Sequence, residues 1–209
     1  MDLSGVIEVL ETIADNKFVM GDQLIEVGVS GPNLEATLSA VAIAQSELGH
    51  ARLLYNWVYD LKNGFKKGKK PDIKAQTGKA FSKAVKTDDW ISLITSLYAT
   101  DVTADVVLHA IADSPVAEKM PSVKKLFGEQ MEHIIYARSW CNQLANDKGK
   151  IPGKFYADFS EISKEAESWI TCMKVDKRLE KLDIFDGITD PIAIFKKEMD
   201  NISLGEVPV

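Results

Sequence analysis

Apolar residues recur at intervals of three and four along almost the whole chain, and no run of β-branched residues alternates with polar ones between hairpin-type turns. That spacing lines up side chains on one face of an α-helix, whereas a strand needs a period of two. The sequence therefore predicts an all-α protein of five or six helices. The first starts at Ser4, read as its N-cap, and stops at Gly28 and Gly31. The second starts at Pro32 and runs without a breaker to Asn63 and Gly64; about thirty helical residues span roughly 45 Å. The third follows Thr87, Asp88 and Asp89, whose acids suit the positive end of a helix, and ends near Asp113, Ser114 and Pro115. The fourth covers about 121–146. A loop at 150–153 leads to helices at 155–174 and 191–202. Residues 175–190 show no assignable pattern, and the lysine-rich stretch 62–74, with Gly64, Gly68 and Pro71, reads as a long connection.

The 209 residues suit one domain, 1–209, whose single core buries roughly 70% of the unfolded surface. Its bundle core is expected at about 4–147 and its C-terminal helices at about 153–203. With 45% hydrophobic and 27% charged residues the composition is that of a globular protein, and a net charge of -6 argues against a nucleic-acid partner. No basic and then apolar leader opens the chain, and no stretch approaches the ~20 apolar residues that span a bilayer, so no membrane partner and a cytoplasmic location are expected. Cys141 and Cys172 lie in helical patterns without metal spacing and read as small core residues.

The buried stripe of the second helix reads Ala40, Ile43, Ala44, Glu47, His50, Ala51 and Leu54, so an acid and a histidine three residues apart sit on an apolar face. That spacing aims both side chains the same way. On the fourth helix the stripe is Leu126, Gln130, His133, Ile134 and Ala137. His50 and His133 are 83 residues apart, and so are Glu47 and Gln130. Lys17 is the only charge on the stripe of the first helix, 30 residues before Glu47; Asp101 holds the matching place on the third, 29 residues before Gln130. The chain is thus a duplicated helix hairpin with one polar residue on its first member and a polar-x-x-His pair on its second. Independent core groups have no reason to recur in register. Buried unpaired, each of these ions would cost several kcal/mol, so they must meet one another or a cation.

At these residues the sequence resembles the ferritin-like di-iron carboxylate proteins, in which two helices give one Glu each and two give Glu-x-x-His. The run from Ala44 through Glu47, Gly49, His50 and Arg52 to Leu54 and Tyr55 is similar to the phenylacetyl-CoA epoxidase subunit family, over roughly 10–144. The resemblance implies a ferritin-like four-helix bundle of two repeated helix pairs with extra C-terminal helices. It also implies membership of a multicomponent ring oxygenase with a catalytic di-iron subunit and a homologous non-catalytic partner. Glu47, His50, Asp101 and His133 fall on ligand positions of the catalytic subunit. Lys17 and Gln130 stand where that subunit has glutamates. Glu11, Asp15 and Asp22 point off the stripe and do not rescue Lys17, and Glu129, the candidate substitute ligand, lies about 100° away, so that only a helix distortion would bring it in.

Lys17, Glu47 and Asp101 sum to -1, so two divalent ions would leave +3 in a low-dielectric core, while a metal-free site reaches neutrality by protonating one histidine. The expectation is a degenerate site with no cofactor and no catalytic residues, at most one weakly bound iron or other divalent metal on Glu47, His50, His133 and Asp101. The leading reading is the non-catalytic component, paired with the homologous catalytic subunit or with itself through helix faces. The rival is a degenerate metal-dependent oxidase or monooxygenase using Glu47, His50, Asp101 and His133. The cluster Lys62, Lys66, Lys67, Lys69, Lys70 and Lys74 could attract a coenzyme A thioester, against a plainer reading as a solvated loop. Trp57, Trp90, Trp140 and Trp169 read as core or interface residues, and His109 as unrelated to the site.

Overall fold

The computed structural model describes residues 2–64, 76–186 and 190–202. Among them are eight α-helices and no strand: α1 (Ser4–Glu26), α2 (Leu34–Asn63), α3 (Ser82–Val85), α4 (Trp90–Ala112), α5 (Lys124–Ala145), α6 (Ile151–Lys174), α7 (Lys177–Glu180) and α8 (Pro191–Asp200). The chain is a ferritin-like helical bundle with extra C-terminal helices. Helices α1 and α2 form one antiparallel pair, and α4 and α5 the other.

Local chemistry accounts for most helix ends. Ser4 is not the cap of α1 but its first residue, and its N–H donates to the Asp2 carboxylate at 2.9 Å. Helix α2 begins at Leu34 because the Asn33 side chain accepts from the Ala36 N–H at 2.8 Å, which leaves Pro32 outside. It ends on Gly64 in the left-handed region (φ 69°), as a C-terminal glycine permits. Asp89 and Ser92 form a reciprocal capping box at the start of α4. The expected loop at 150–153 is instead the first turn of α6, where Pro152 forfeits no intrahelical hydrogen bond. Within 175–190, α7 is capped by the Asp176 side chain.

Packing follows the stripes. Gly21 lets α1 approach α2 so closely that an added Cβ would come within 2.6 Å of the Leu48 side chain. Helix α4 is flanked by α1, α5, α6 and α8; Tyr98 stacks on Phe159 of α6 and its hydroxyl donates to the Glu198 carbonyl of α8 at 2.7 Å. Contrary to the sequence expectation, α4 is long and apolar enough to cross a membrane, with a mean hydropathy of 1.4 over its best window. Some 83% of that window is buried inside the bundle, as befits a core helix surrounded by others. Cys141 is buried as expected, but Cys172 is exposed, because its position on α6 turns away from the stripe Ile162, Ala166, Ile170 and Met173.

The segment after the long connection is tied to α1 by Asp15. This fully buried carboxylate accepts from the Tyr55 hydroxyl, the Thr77 N–H (2.7 Å), the Thr77 hydroxyl (2.9 Å) and the Lys79 N–H (2.6 Å). Beside it the Asn16 side chain accepts from the Phe81 N–H at 2.8 Å. Asp15→Ala removes the shared acceptor of four donors and is expected to destabilise the protein by about 3 kcal/mol in urea unfolding, since each stranded buried donor costs about 1–3 kcal/mol.

Candidate metal centre

The four stripes meet in the middle of the bundle. Lys17 from α1, Glu47 and His50 from α2, Asp101 from α4, and Gln130 and His133 from α5 are all buried. The Lys17 ammonium donates to Glu47 Oε1 at 2.9 Å and to Asp101 Oδ1, so it lies between the two carboxylates and does not snorkel outward. His133 Nδ1 lies 2.7 Å from Glu47 Oε1 and 3.8 Å from Asp101 Oδ2. The His50 and His133 rings stack with centroids 5.7 Å apart.

Glu47, His50 and His133 each offer a ligand atom within 4.8 Å of the others, a group that could hold a metal ion. Asp101, expected with them, stands outside that group and accepts from Lys17. Gln130 turns its amide nitrogen to Asp105 Oδ1 at 3.1 Å. Helix α5 runs on through Glu129 as a regular helix, and Glu129 Oε2 lies 2.9 Å from His50 Nε2. It approaches the outer nitrogen of the ring, on the half-exposed side, and not the centre of the site. His109 is apart, as expected, on Asp105 and the Phe127 ring. Of the lysine cluster, Lys62 pairs with Glu11 at 2.5 Å, while Lys66, Lys67, Lys69, Lys70 and Lys74 lie outside the described residues. Glu11 and Asp15 are engaged away from the site, with Lys62 and with Tyr55 and Thr77.

Electrostatics sorts the charges. Burial disfavours the Lys17 ammonium, but the Asp101 and Glu47 carboxylates outweigh it and raise its pKa above the ordinary lysine value. Burial likewise opposes Glu47, yet Lys17 and both histidines hold it below the usual carboxylate range. Asp101 is pushed up to about 6 by burial and by the Glu47 charge, against the pull of Lys17 and His133. Burial lowers His50, helped by Lys17. His133 rises, because its hydrogen bond to Glu47 and the Asp101 charge exceed the effect of burial. His133 is thus the histidine whose protonation neutralises the site. Since ionised Glu129 can only accept, neutral His50 carries its proton on Nε2 and turns Nδ1, as a lone pair, toward Glu47 at 3.9 Å. His50 Nδ1, Glu47 Oε2, Asp101 Oδ2 and Gln130 Oε1 are buried without a protein hydrogen-bond partner. All four are acceptor atoms cut off from water, a setting that suits a cation or a proton and no anion.

A model of the phenylacetic acid catabolic protein family matches residues 2–178. The chain belongs to this family. The matched span takes in every residue of the buried cluster, from Lys17 to His133, and the whole of α6, but not α8. Comparison with individual curated proteins gives no match.

Lys17→Met strands two carboxylates in the core and is expected to cost about 3–5 kcal/mol in chemical denaturation. The pH dependence follows from the shifts. His133 binds its proton more tightly in the fold, so its contribution is complete below the ordinary histidine value of 6.5 and is lost as pH rises through its raised one. His50, with a lowered pKa, contributes above 6.5 and loses that contribution as pH falls through its folded value. An imidazole NMR titration should therefore place His50 below 6.5, His133 above it and His109, raised by Asp105, at about 8.

Proposed function

We propose that this chain is the non-catalytic, structural or assembly component of a phenylacetyl-CoA epoxidase type ring-oxygenase complex, acting in the cytoplasm through contacts with a homologous catalytic subunit. The observation that carries this reading is the Lys17 ammonium seated between Glu47 and Asp101. An ammonium there already supplies the positive charge that a metal would bring to those carboxylates. Two irons do not fit the set. Of the four acids such a pair needs, Lys17 and Gln130 replace two, and two divalent ions would add +4 to a buried cluster that holds one permanent cation. Glu129, the nearest replacement acid, is taken up by His50. The site keeps its hydrogen-bonded cross-links between helices without any metal, which is what a scaffold needs.

Purified after growth with ferrous iron, the chain is expected to hold well under two irons and to turn over no substrate alone, while restoring turnover to a homologous catalytic subunit. Stoichiometric di-iron with oxygen-dependent turnover by this chain alone would sink the reading. The double replacement Lys17→Glu with Gln130→Glu restores four carboxylates and is expected to raise iron uptake toward two per chain, as measured by metal analysis.

One feature favours a second reading: the Glu47, His50 and His133 group could hold a single divalent metal. A degenerate oxidase or monooxygenase using these residues with Asp101 predicts that His50→Ala abolishes activity and leaves the helical content intact. Activity unchanged on losing the metal would refute it.

A further inference from the structure

Opposite its buried stripe, α2 carries a second one. Glu35, Leu38, Ala42, Gln45, Gly49 and Arg52 are all exposed, and their spacing of three and four aligns them over about 25 Å of helix. The order along this stripe is self-complementary when turned end for end. An acid stands at one end and a base at the other. The large Leu38 and the side-chain-free Gly49 lie equally far from the centre, and Ala42 and Gln45 flank it.

Two observations make the stripe an unpartnered surface within the chain. Leu38 is 61% exposed. At Gly49 nothing lies within 4 Å of where a Cβ would be, whereas the same test at Gly21 finds Leu48 filling the space. A glycine inside a helix weakens it, and no neighbour in the chain needs the room at Gly49. Beside α2 runs α5, antiparallel to it: Tyr136 reaches the Ala36 carbonyl near one end and Glu129 reaches His50 further along. Helix α5 presents exposed Gly128, Met131 and Ile135 outward. Among the described residues eight large hydrophobics are exposed, and six of them, Ile25, Val29, Leu34, Leu38, Met131 and Ile135, lie on α2, on α5 or where α1 turns into α2. Exposed apolar side chains gathered on neighbouring elements are typical of an interface.

We propose that α2 pairs antiparallel with α2 of a second copy of this chain, about a two-fold axis between Ala42 and Gln45. Glu35 then meets Arg52 of the other copy twice, each Leu38 sits over the opposite Gly49, and Met131 and Ile135 widen the apolar patch. The occupant is a second copy because a two-fold axis brings residue i to j and j to i, and this stripe matches its own inverse in both charge and size. The pairing does not rest on the oxygenase reading, which is tested by iron content and turnover.

Sedimentation equilibrium of the full chain is expected to show a monomer–dimer equilibrium. Gly49→Leu fills the seat of Leu38 and is expected to raise the dissociation constant about tenfold or more. Glu35→Arg and Arg52→Glu each set like charges opposite one another twice per dimer, and each raises it by about the same factor. The double variant Glu35→Arg with Arg52→Glu exchanges the pairs and returns the constant to near the wild-type value. All three positions are exposed, so thermal melts should show folded monomers throughout. A chain that stays monomeric at high micromolar concentration overturns the proposal, even if it forms a one-to-one complex with a different homologous chain. So does a dimer indifferent to the single variants, or a double variant no better than its parents.

Discussion

Lys17 reaches Glu47 and Asp101 at the centre of the bundle, where water cannot solvate any of the three. An ammonium and two carboxylates in such a place are tolerable only together, because removing one leaves the others as bare charges in a medium that penalises them heavily. This contact joins α1 to α2 and α4, and the His133 bond to Glu47 brings in α5. Each of these four helices therefore sends at least one polar group to the buried cluster. The apolar stripes supply most of the burial, and the close fit of Leu48 over Gly21 fixes the register of α1 against α2. The central charges add a second constraint, because a slid helix would leave them unpaired.

The same contact links fold to function. In a site built for two metal ions the cations come from solution, and the protein provides the anions. Here one cation is part of the chain, and its acids are correspondingly fewer. The cluster is close to neutral with Lys17 and His133 charged and Glu47 and Asp101 ionised. Four buried acceptors, His50 Nδ1 and Glu47 Oε2 among them, are left without a protein hydrogen-bond partner.

Glu129 meets the buried cluster from a neighbouring position. It lies one residue before Gln130, so it faces the rim and not the centre, and from there it fixes the proton of His50 on the outer nitrogen. Gln130, with no metal charge to meet, donates to Asp105 instead. Glu129 steadies the His50 ring from outside, and Gln130 fills its buried position without adding charge.

The sequence by itself determined the helical class, the duplicated hairpin and the identity of the central residues, because a period of three and four and a repeat of 83 residues are one-dimensional signals. Ends set by a local side chain, such as Asp89 at α4, were legible too. The start of α6 at Ile151 was not, since Pro152 and Gly153 serve a first helical turn as readily as a loop. Only the tertiary structure decided where Lys17 goes, because a lysine can reach inward or outward from the same position and the choice depends on carboxylates 30 and 84 residues away. The same holds for the partners of Glu129 and Asp15. Their angular place on a helix is written in the sequence, but the atom they meet belongs to another helix, and helix packing alone sets that distance.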